Sequence, residues 1–128
     1  MELYKAPDIL VVHFKRFSHT RQSMFGSRKL NMQIDFPVEG LDLSSFMMQT
    51  QEDSLKPTSS SLYDLYAISN HYGSLNGGHY TAMCSNPLSG NWYEFDDSQV
   101  SRLSSKDQLV GKAAYVLFYK RRIWTTKT

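Results

Sequence analysis

His79 stands directly after Gly77-Gly78, and a short way downstream Trp92-Tyr93-Glu94-Phe95 runs into Asp96-Asp97. An imidazole beside a carboxylate is the base-and-orienter part of a nucleophilic catalytic triad. The acid holds the ring's tautomer and tilt while the other ring nitrogen takes a proton from the attacking group. Between the two segments lies Ser85-Asn86-Pro87-Leu88-Ser89-Gly90, strong turn material with Asn at the first turn position and Pro at the second. The region therefore reads as a β-hairpin, and side-chain alternation decides which acid meets the histidine. A turn centred between Pro87 and Leu88 sets His79 opposite Asp96. Moving the register by two residues keeps Asp96 on the histidine's face, whereas moving it by one puts Asp97 there. Asp96 is the expected partner and Asp97 the second choice, with Gly90 a place where a bulge would shift the register.

The nucleophile is harder to find. Cys84, the one cysteine, lies an odd number of residues from His79 on the same expected strand, so the two side chains leave on opposite faces. It reads as a small core thiol rather than an attacking group. The segment His71-Tyr72-Gly73-Ser74-Leu75-Asn76-Gly77-Gly78 has two readings, a mobile cover over an extended ligand or an ordinary glycine-rich connection. Gly77 and Gly78 permit a close backbone approach in either case. His13, inside an apolar run, reads as a core or near-surface histidine, and Trp92, Tyr93 and Phe95 read as core and sheet-face residues.

A sheet must position these groups. Ile9-Leu10-Val11-Val12-His13-Phe14 and Ala113-Ala114-Tyr115-Val116-Leu117-Phe118-Tyr119 are short unbroken apolar runs, read as strands buried on both faces. Residues 62–69 form a third strand, and 79–84 and 91–95 the hairpin. Weaker elements lie between them: a loop or hairpin tip over 17–28, a short strand over 30–36, a helical turn over 41–46 and a flexible surface loop over 48–61. A short helix is expected over 104–111, capped by Ser104 and stopped by Gly111. The fold class is α+β and β-rich, a mostly antiparallel sheet with one or two short helices.

Composition excludes several classes. The chain has 128 residues and a formal net charge of +2, with 41% hydrophobic residues, so it makes one domain or part of one. Its basic clusters, Lys15-Arg16 and Lys120-Arg121-Arg122, sit at the ends of apolar runs, which argues against a nucleic-acid surface. Four histidines and one cysteine, scattered along the chain, offer no zinc-ligand spacing, so neither metal nor cofactor is expected. A single cysteine, no signal peptide and no apolar run of transmembrane length lead us to expect no membrane association and an intracellular protein, cytoplasmic or nuclear or both.

Val12-His13-Phe14-Lys15-Arg16-Phe17, Tyr66-Ala67-Ile68-Ser69-Asn70-His71-Tyr72-Gly73, Gly77-Gly78-His79-Tyr80-Thr81-Ala82, Trp92-Tyr93-Glu94-Phe95-Asp96-Asp97-Ser98 and Ala114-Tyr115-Val116-Leu117-Phe118-Tyr119 follow one another in that order. In this order they resemble the ubiquitin-specific proteases, papain-like cysteine peptidases that remove ubiquitin. The resemblance implies that residues 1–122 are the C-terminal portion of the catalytic domain, with 123–128 a tail. It also implies that His79 is the general base, Asp96 the triad acid and Asp97 a supporting acid. His71, Asn76, Gly77, Gly78 and Tyr80 would contact the Gly-Gly tail of ubiquitin. Partners implied are ubiquitin, ubiquitinated proteins and the missing N-terminal half of the domain. The family's cysteine box and its paired Cys-x-x-Cys zinc ligands are absent, Phe14 stands where Leu is frequent, and Met83 where Tyr is frequent. The isolated chain is therefore expected to be inactive. Two other readings stand beside this one: a non-catalytic module binding ubiquitin or a partner, and a hydrolase using a cysteine or serine of its own.

Overall fold

The structure, a computed structural model, describes residues 1–19, 27–48, 59–74 and 76–123. Its spine is a long strand running from Ser59 to Tyr72, flanked by antiparallel partners on both sides. In chain order the strands are β1 (Ile9–His13), β2 (Phe17–His19), β3 (Ser27–Lys29), β4 (Leu41–Asp42), β5 (Ser59–Tyr72), β6 (His79–Ser85), β7 (Trp92–Asp96), β8 (Gln99–Arg102) and β9 (Ala114–Ile123). The main sheet has the order β1-β9-β5-β6-β7-β8, with β4 also pairing β5, while β2 and β3 make a separate two-stranded ribbon. Every pairing between these strands is antiparallel. This is the β-rich, nearly helix-free architecture that the apolar runs implied.

One face of the sheet carries the core. Val12, Leu117, Ile68 and Met83 form a row across β1, β9, β5 and β6, joined by Tyr63, Leu65, Trp92, Leu109, Ala114 and Tyr119. The layer over them is irregular chain, including Phe36, Val38, Leu43 and Leu103. Without helical hydrogen bonds, that layer is fastened by side chains from the sheet side. Tyr63 Oη donates to the Pro7 carbonyl at 2.6 Å, and Tyr119 Oη to the Pro37 carbonyl at 2.8 Å. Burial raises the Tyr119 phenol to about 12, so it stays a donor at neutral pH. Arg16, 2% exposed, sends Nε to the Ala114 carbonyl at 2.7 Å and Nη1 to the Leu30 and Met32 carbonyls at 3.0 and 2.7 Å.

Much of the opposite face is uncovered by the described residues, apart from the end at which Phe17 packs on His71. The register aligns Val11, Phe118, Ala67, Cys84 and Tyr93 in one row, and Ala82, Phe95 and Val100 in the next. Val11, Phe95 and Val100 are 53%, 40% and 59% exposed, an apolar strip of the kind that marks an interaction surface.

Several local expectations change. β1 is an edge strand with alternating exposure rather than one buried on both faces, because none of the described residues covers the Ile9–Val11 side. Residues 30–36 form no strand: the Arg16 guanidinium takes up the carbonyls at Leu30 and Met32, and Leu30, Met32 and Ile34 are exposed. The turn over 41–46 resolves into β4 and a 3₁₀ turn, Ser44–Phe46. The helix expected over 104–111 is a single 3₁₀ turn, Lys106–Gln108. Ser105, not Ser104, caps it, accepting from the Asp107 amide at 3.1 Å while Gln108 Oε1 reaches back to the Ser105 amide. β8 was not anticipated, and β5 begins at Ser59, inside the expected 48–61 loop. Residues 49–58 of the expected loop, 20–26 of the expected loop or hairpin tip and 124–128 of the expected tail lie outside the described residues. Among the described residues no helix is long and apolar enough to cross a membrane.

Arg16→Met leaves buried carbonyls without their donors. Since hydrogen bonds to charged groups contribute about 1.5–3 kcal/mol each, urea unfolding is expected to show a loss on the order of 3 kcal/mol. Lys106→Met, which removes the exposed ion pair to Glu39, is expected to leave the unfolding midpoint nearly unchanged.

Candidate active site

The β6–β7 hairpin is closed by Asn86. Its side-chain Oδ1 accepts from the Leu88 amide at 2.9 Å, its carbonyl accepts from the Gly90 amide at 2.7 Å, and its amide donates to the Asn91 carbonyl at 2.8 Å. Gly90 takes φ +76°, a conformation that favours glycine. The resulting register pairs Ser85 with Trp92, Cys84 with Tyr93, Met83 with Glu94 and Ala82 with Phe95. The turn is thus centred between Leu88 and Ser89, one residue beyond the expected centre, which moves the strand pairing by two. Parity survives that shift. His79 and Asp96 share a face and meet diagonally across the ribbon, Nε2 to Oδ1 at 2.7 Å.

Asp97 lies beside them in the two-residue connection Asp97-Ser98 between Asp96 and its β8 partner Gln99. Its φ is +49°, in the left-handed region that Asp enters more readily than most residues and that suits a tight hairpin. Ligand-type atoms of His79, Asp96 and Asp97 lie within 4.8 Å of one another, so these three are the group that could hold a metal ion among the described residues. The hydrogen bond already engages two of them.

The imidazole of His79 is held above its ordinary pKa, first by the hydrogen bond to Asp96 and then by the charges of Asp96 and Asp97, against some loss of hydration. A raised folded pKa contributes stability that is full below the unfolded value and is lost as pH rises through the folded one. With both side chains nearly half exposed, solvent screens the pair, and its chief effect is orientation. In the neutral ring, Nε2–H donates to Asp96, leaving the Nδ1 lone pair free to accept a proton.

Cys84 lies on the other face, between Ala67 and Tyr93, and burial pushes its thiol up, opposite to what a nucleophile needs. The loop residues divide. Asn76, Gly77, Gly78 and Tyr80 are exposed. His71 is 1% exposed, its ring enclosed by Tyr80 at 4.7 Å, Phe17 at 5.5 Å and Tyr115 at 5.8 Å between centroids. The expected direct contact between His71 and an extended ligand is thereby corrected: the ring lies beneath the loop instead of facing out. Burial, with Lys29 nearby, holds His71 below its ordinary pKa.

The motif reading overlooked Asn70 and Thr81, paired across β5 and β6 and only 2% and 7% exposed. Asn70 Nδ2 and Thr81 Oγ1 have no hydrogen-bond partner among the described residues. Asn70 opens onto a cleft of about 450 Å³ shared with Lys29, Tyr72, Gln108 and Lys112, and Tyr72 is the cross-strand partner of His79. Polar residues at core-facing positions of otherwise apolar strands were the available signal.

A family model described as ubiquitin carboxyl-terminal hydrolase matches residues 1–119. The chain belongs to the ubiquitin carboxyl-terminal hydrolase family, as a C-terminal portion of its domain. It is 51% identical over 121 residues to ubiquitin carboxyl-terminal hydrolase 4 of Pongo abelii, covering 94% of this chain and 12% of that protein. Ubiquitin carboxyl-terminal hydrolase 15 of Homo sapiens is 47% identical over 122 residues, covering 95% of this chain and 11% of the relative. Among solved structures, the SAGA Ubp8/Sgf11/Sus1/Sgf73 DUB module bound to ubiquitin aldehyde superposes with a TM-score of 0.78 at 32% identity, over 98% of this chain and 26% of that one. A second, the module with Ubp8(C146A) bound to monoubiquitin, gives 0.77 at 32% identity, over 98% and 25% of the two chains. The chain therefore spans about an eighth of the curated relatives and a quarter of the structural ones.

An NMR titration of the histidine side chains checks the electrostatics. His79 is expected to titrate above the ordinary histidine value and His71 below it. Asp96→Asn should bring the His79 midpoint down, and Asp97→Asn should lower it less.

Proposed function

We propose that this chain carries the general base and orienting acid of a cysteine-type deubiquitinase, acting on the bond at the C-terminal glycine of ubiquitin. The observation that carries this reading is the 2.7 Å bond from His79 Nε2 to Asp96 Oδ1, which leaves Nδ1 free. Family membership and ubiquitin-bound structural neighbours support it.

In this reading the nucleophile is a cysteine of the complementary, N-terminal part of the domain, since Cys84 faces away from His79. His79 Nδ1 takes the thiol proton, and the imidazolium stabilises a thiolate whose pKa falls to roughly 3–4, as in His-paired papain-type cysteines. The sulfur attacks the glycine carbonyl carbon, and a C–S bond replaces the C–N bond to the substrate lysine. His79 gives its proton to the departing amine. A water then attacks the thioester, losing a proton to His79, and releases the ubiquitin carboxylate and the thiolate. Asp96 keeps the ring in the right tautomer throughout, and Asp97 adds negative potential beside it. Exposed Asn76, Gly77, Gly78 and Tyr80 would line the channel for the ubiquitin tail. The open strip around Val11, Phe95 and Val100 is the surface left for partner protein. A reducing compartment, cytoplasmic or nuclear, suits such a thiol enzyme.

The isolated chain is expected to leave a ubiquitin C-terminal amide uncleaved, and cleavage is expected to appear when it is mixed with a separately made N-terminal part of the domain. In that mixture His79→Ala should lower kcat roughly 10²–10⁴-fold, the usual share of general acid–base catalysis. Full activity with His79→Ala, or cleavage by the 128-residue chain alone, would overturn the reading. Ubiquitin binding without any cleavage in the mixture would favour a non-catalytic module.

A further inference from the structure

The β6–β7 ladder ends at Ala82 and Phe95, so His79 lies beyond the last residue that pairing with β7 holds in place. On its other side His79 is the last residue of β6 paired with β5, through Tyr72, and the residue before it, Gly78, is held by a further contact. A Cβ built on Gly78 would lie 2.0 Å from His71 Nε2, 2.6 Å from His71 Cε1 and 2.7 Å from the Ser74 carbonyl oxygen. No side chain fits there. The backbone immediately before His79 is pressed onto the far edge of the His71 ring. One residue earlier the crowding has gone, since among the described residues a Cβ on Gly77 would meet only Ser74 Oγ at 3.6 Å.

The ring has little room to yield. Phe17, Tyr80 and Tyr115 enclose it. The His71 amide donates to the Ala113 carbonyl, and its carbonyl accepts from Lys29 Nζ, both at 2.9 Å. Nδ1 is buried and has no partner among the described residues.

We propose that His71 is a positioning residue, the buried seat on which Gly78 rests, which sets the height at which the chain enters β6 and so the reach of His79 to Asp96. This rests on the reading of His79 as general base, yet its primary test needs neither ubiquitin nor a nucleophile.

The test is the His79 titration midpoint, read by NMR in the full chain, with urea unfolding to verify that each variant is folded. Gly78→Ala is expected to lift the loop and bring the midpoint down towards that of Asp96→Asn. His71→Ala removes the seat and is expected to do the same. The two shifts should not simply add in the double variant, because the closest crowding atoms, those of the ring, are gone and the Ser74 carbonyl at 2.7 Å alone remains. Gly77→Ala should leave the midpoint where it is. Folded single variants with unchanged midpoints, or shifts that simply add in the double variant, would overturn the proposal. Should Gly78→Ala fail to fold, His71→Ala and the double variant carry the same expectation. In the reconstituted domain, His71→Ala should lower kcat with KM little changed, whereas a direct contact to the ubiquitin tail would show as a raised KM. A mixture that never cleaves, while the midpoint still answers to His71, sinks the functional reading alone.

Discussion

Alternation of side chains along β6, imposed by its pairing with β5 and β7, is the constraint on which the rest depends. Thr81 and Met83 point into the core, and His79 continues the same row past the core's edge. The base is therefore an extension of the buried face: the packing that fixes Met83 and Ile68 also fixes the direction in which the imidazole leaves the sheet. Tyr80, Ala82 and Cys84 take the other face, where the nearest thiol is separated from the base by the thickness of the sheet. One strand thus carries both the anchoring of the site and the exclusion of its only cysteine.

The layer covering the core is a second dependence. With 3₁₀ turns as its only helical elements among the described residues, it lacks the self-contained hydrogen bonding of a helix, so its carbonyls need donors from elsewhere. Tyr63, Tyr119 and Arg16 supply them. Arg16 also ties the segment through Leu30 and Met32 to the start of β9, next to Ala113, whose carbonyl receives the His71 amide. A continuous set of contacts runs from a buried guanidinium to the loop that precedes the base.

Much of this was legible in the sequence because it follows from parity and from long apolar runs. The hairpin, the shared face of His79 and Asp96, and the opposite face of Cys84 all come from a period of two, which a displaced turn centre does not disturb. What escaped depends on tertiary competition. Nothing local says that an arginine will claim the carbonyls at Leu30 and Met32, so alternation over 30–36 read as a strand. An apolar run does not reveal whether it lies at the centre or the edge of a sheet, so β1 read as doubly buried. The family resemblance made His71 a ligand contact, and the rings of its strand partner Tyr80 and of the distant Phe17 and Tyr115 enclose it instead.

The turn at Asn86–Gly90 has a further consequence for how this region can change. Because the histidine and its acid are coupled by parity, insertions or deletions between β6 and β7 are filtered in steps of two. An even change slides Asp96 along the correct face. An odd one rotates Asp96 out of reach and presents Asp97 in its place, unless a bulge absorbs the extra residue. Adjacent aspartates at the end of β7 therefore work as a frame-tolerant pair, with a carboxylate on the imidazole's side in either register.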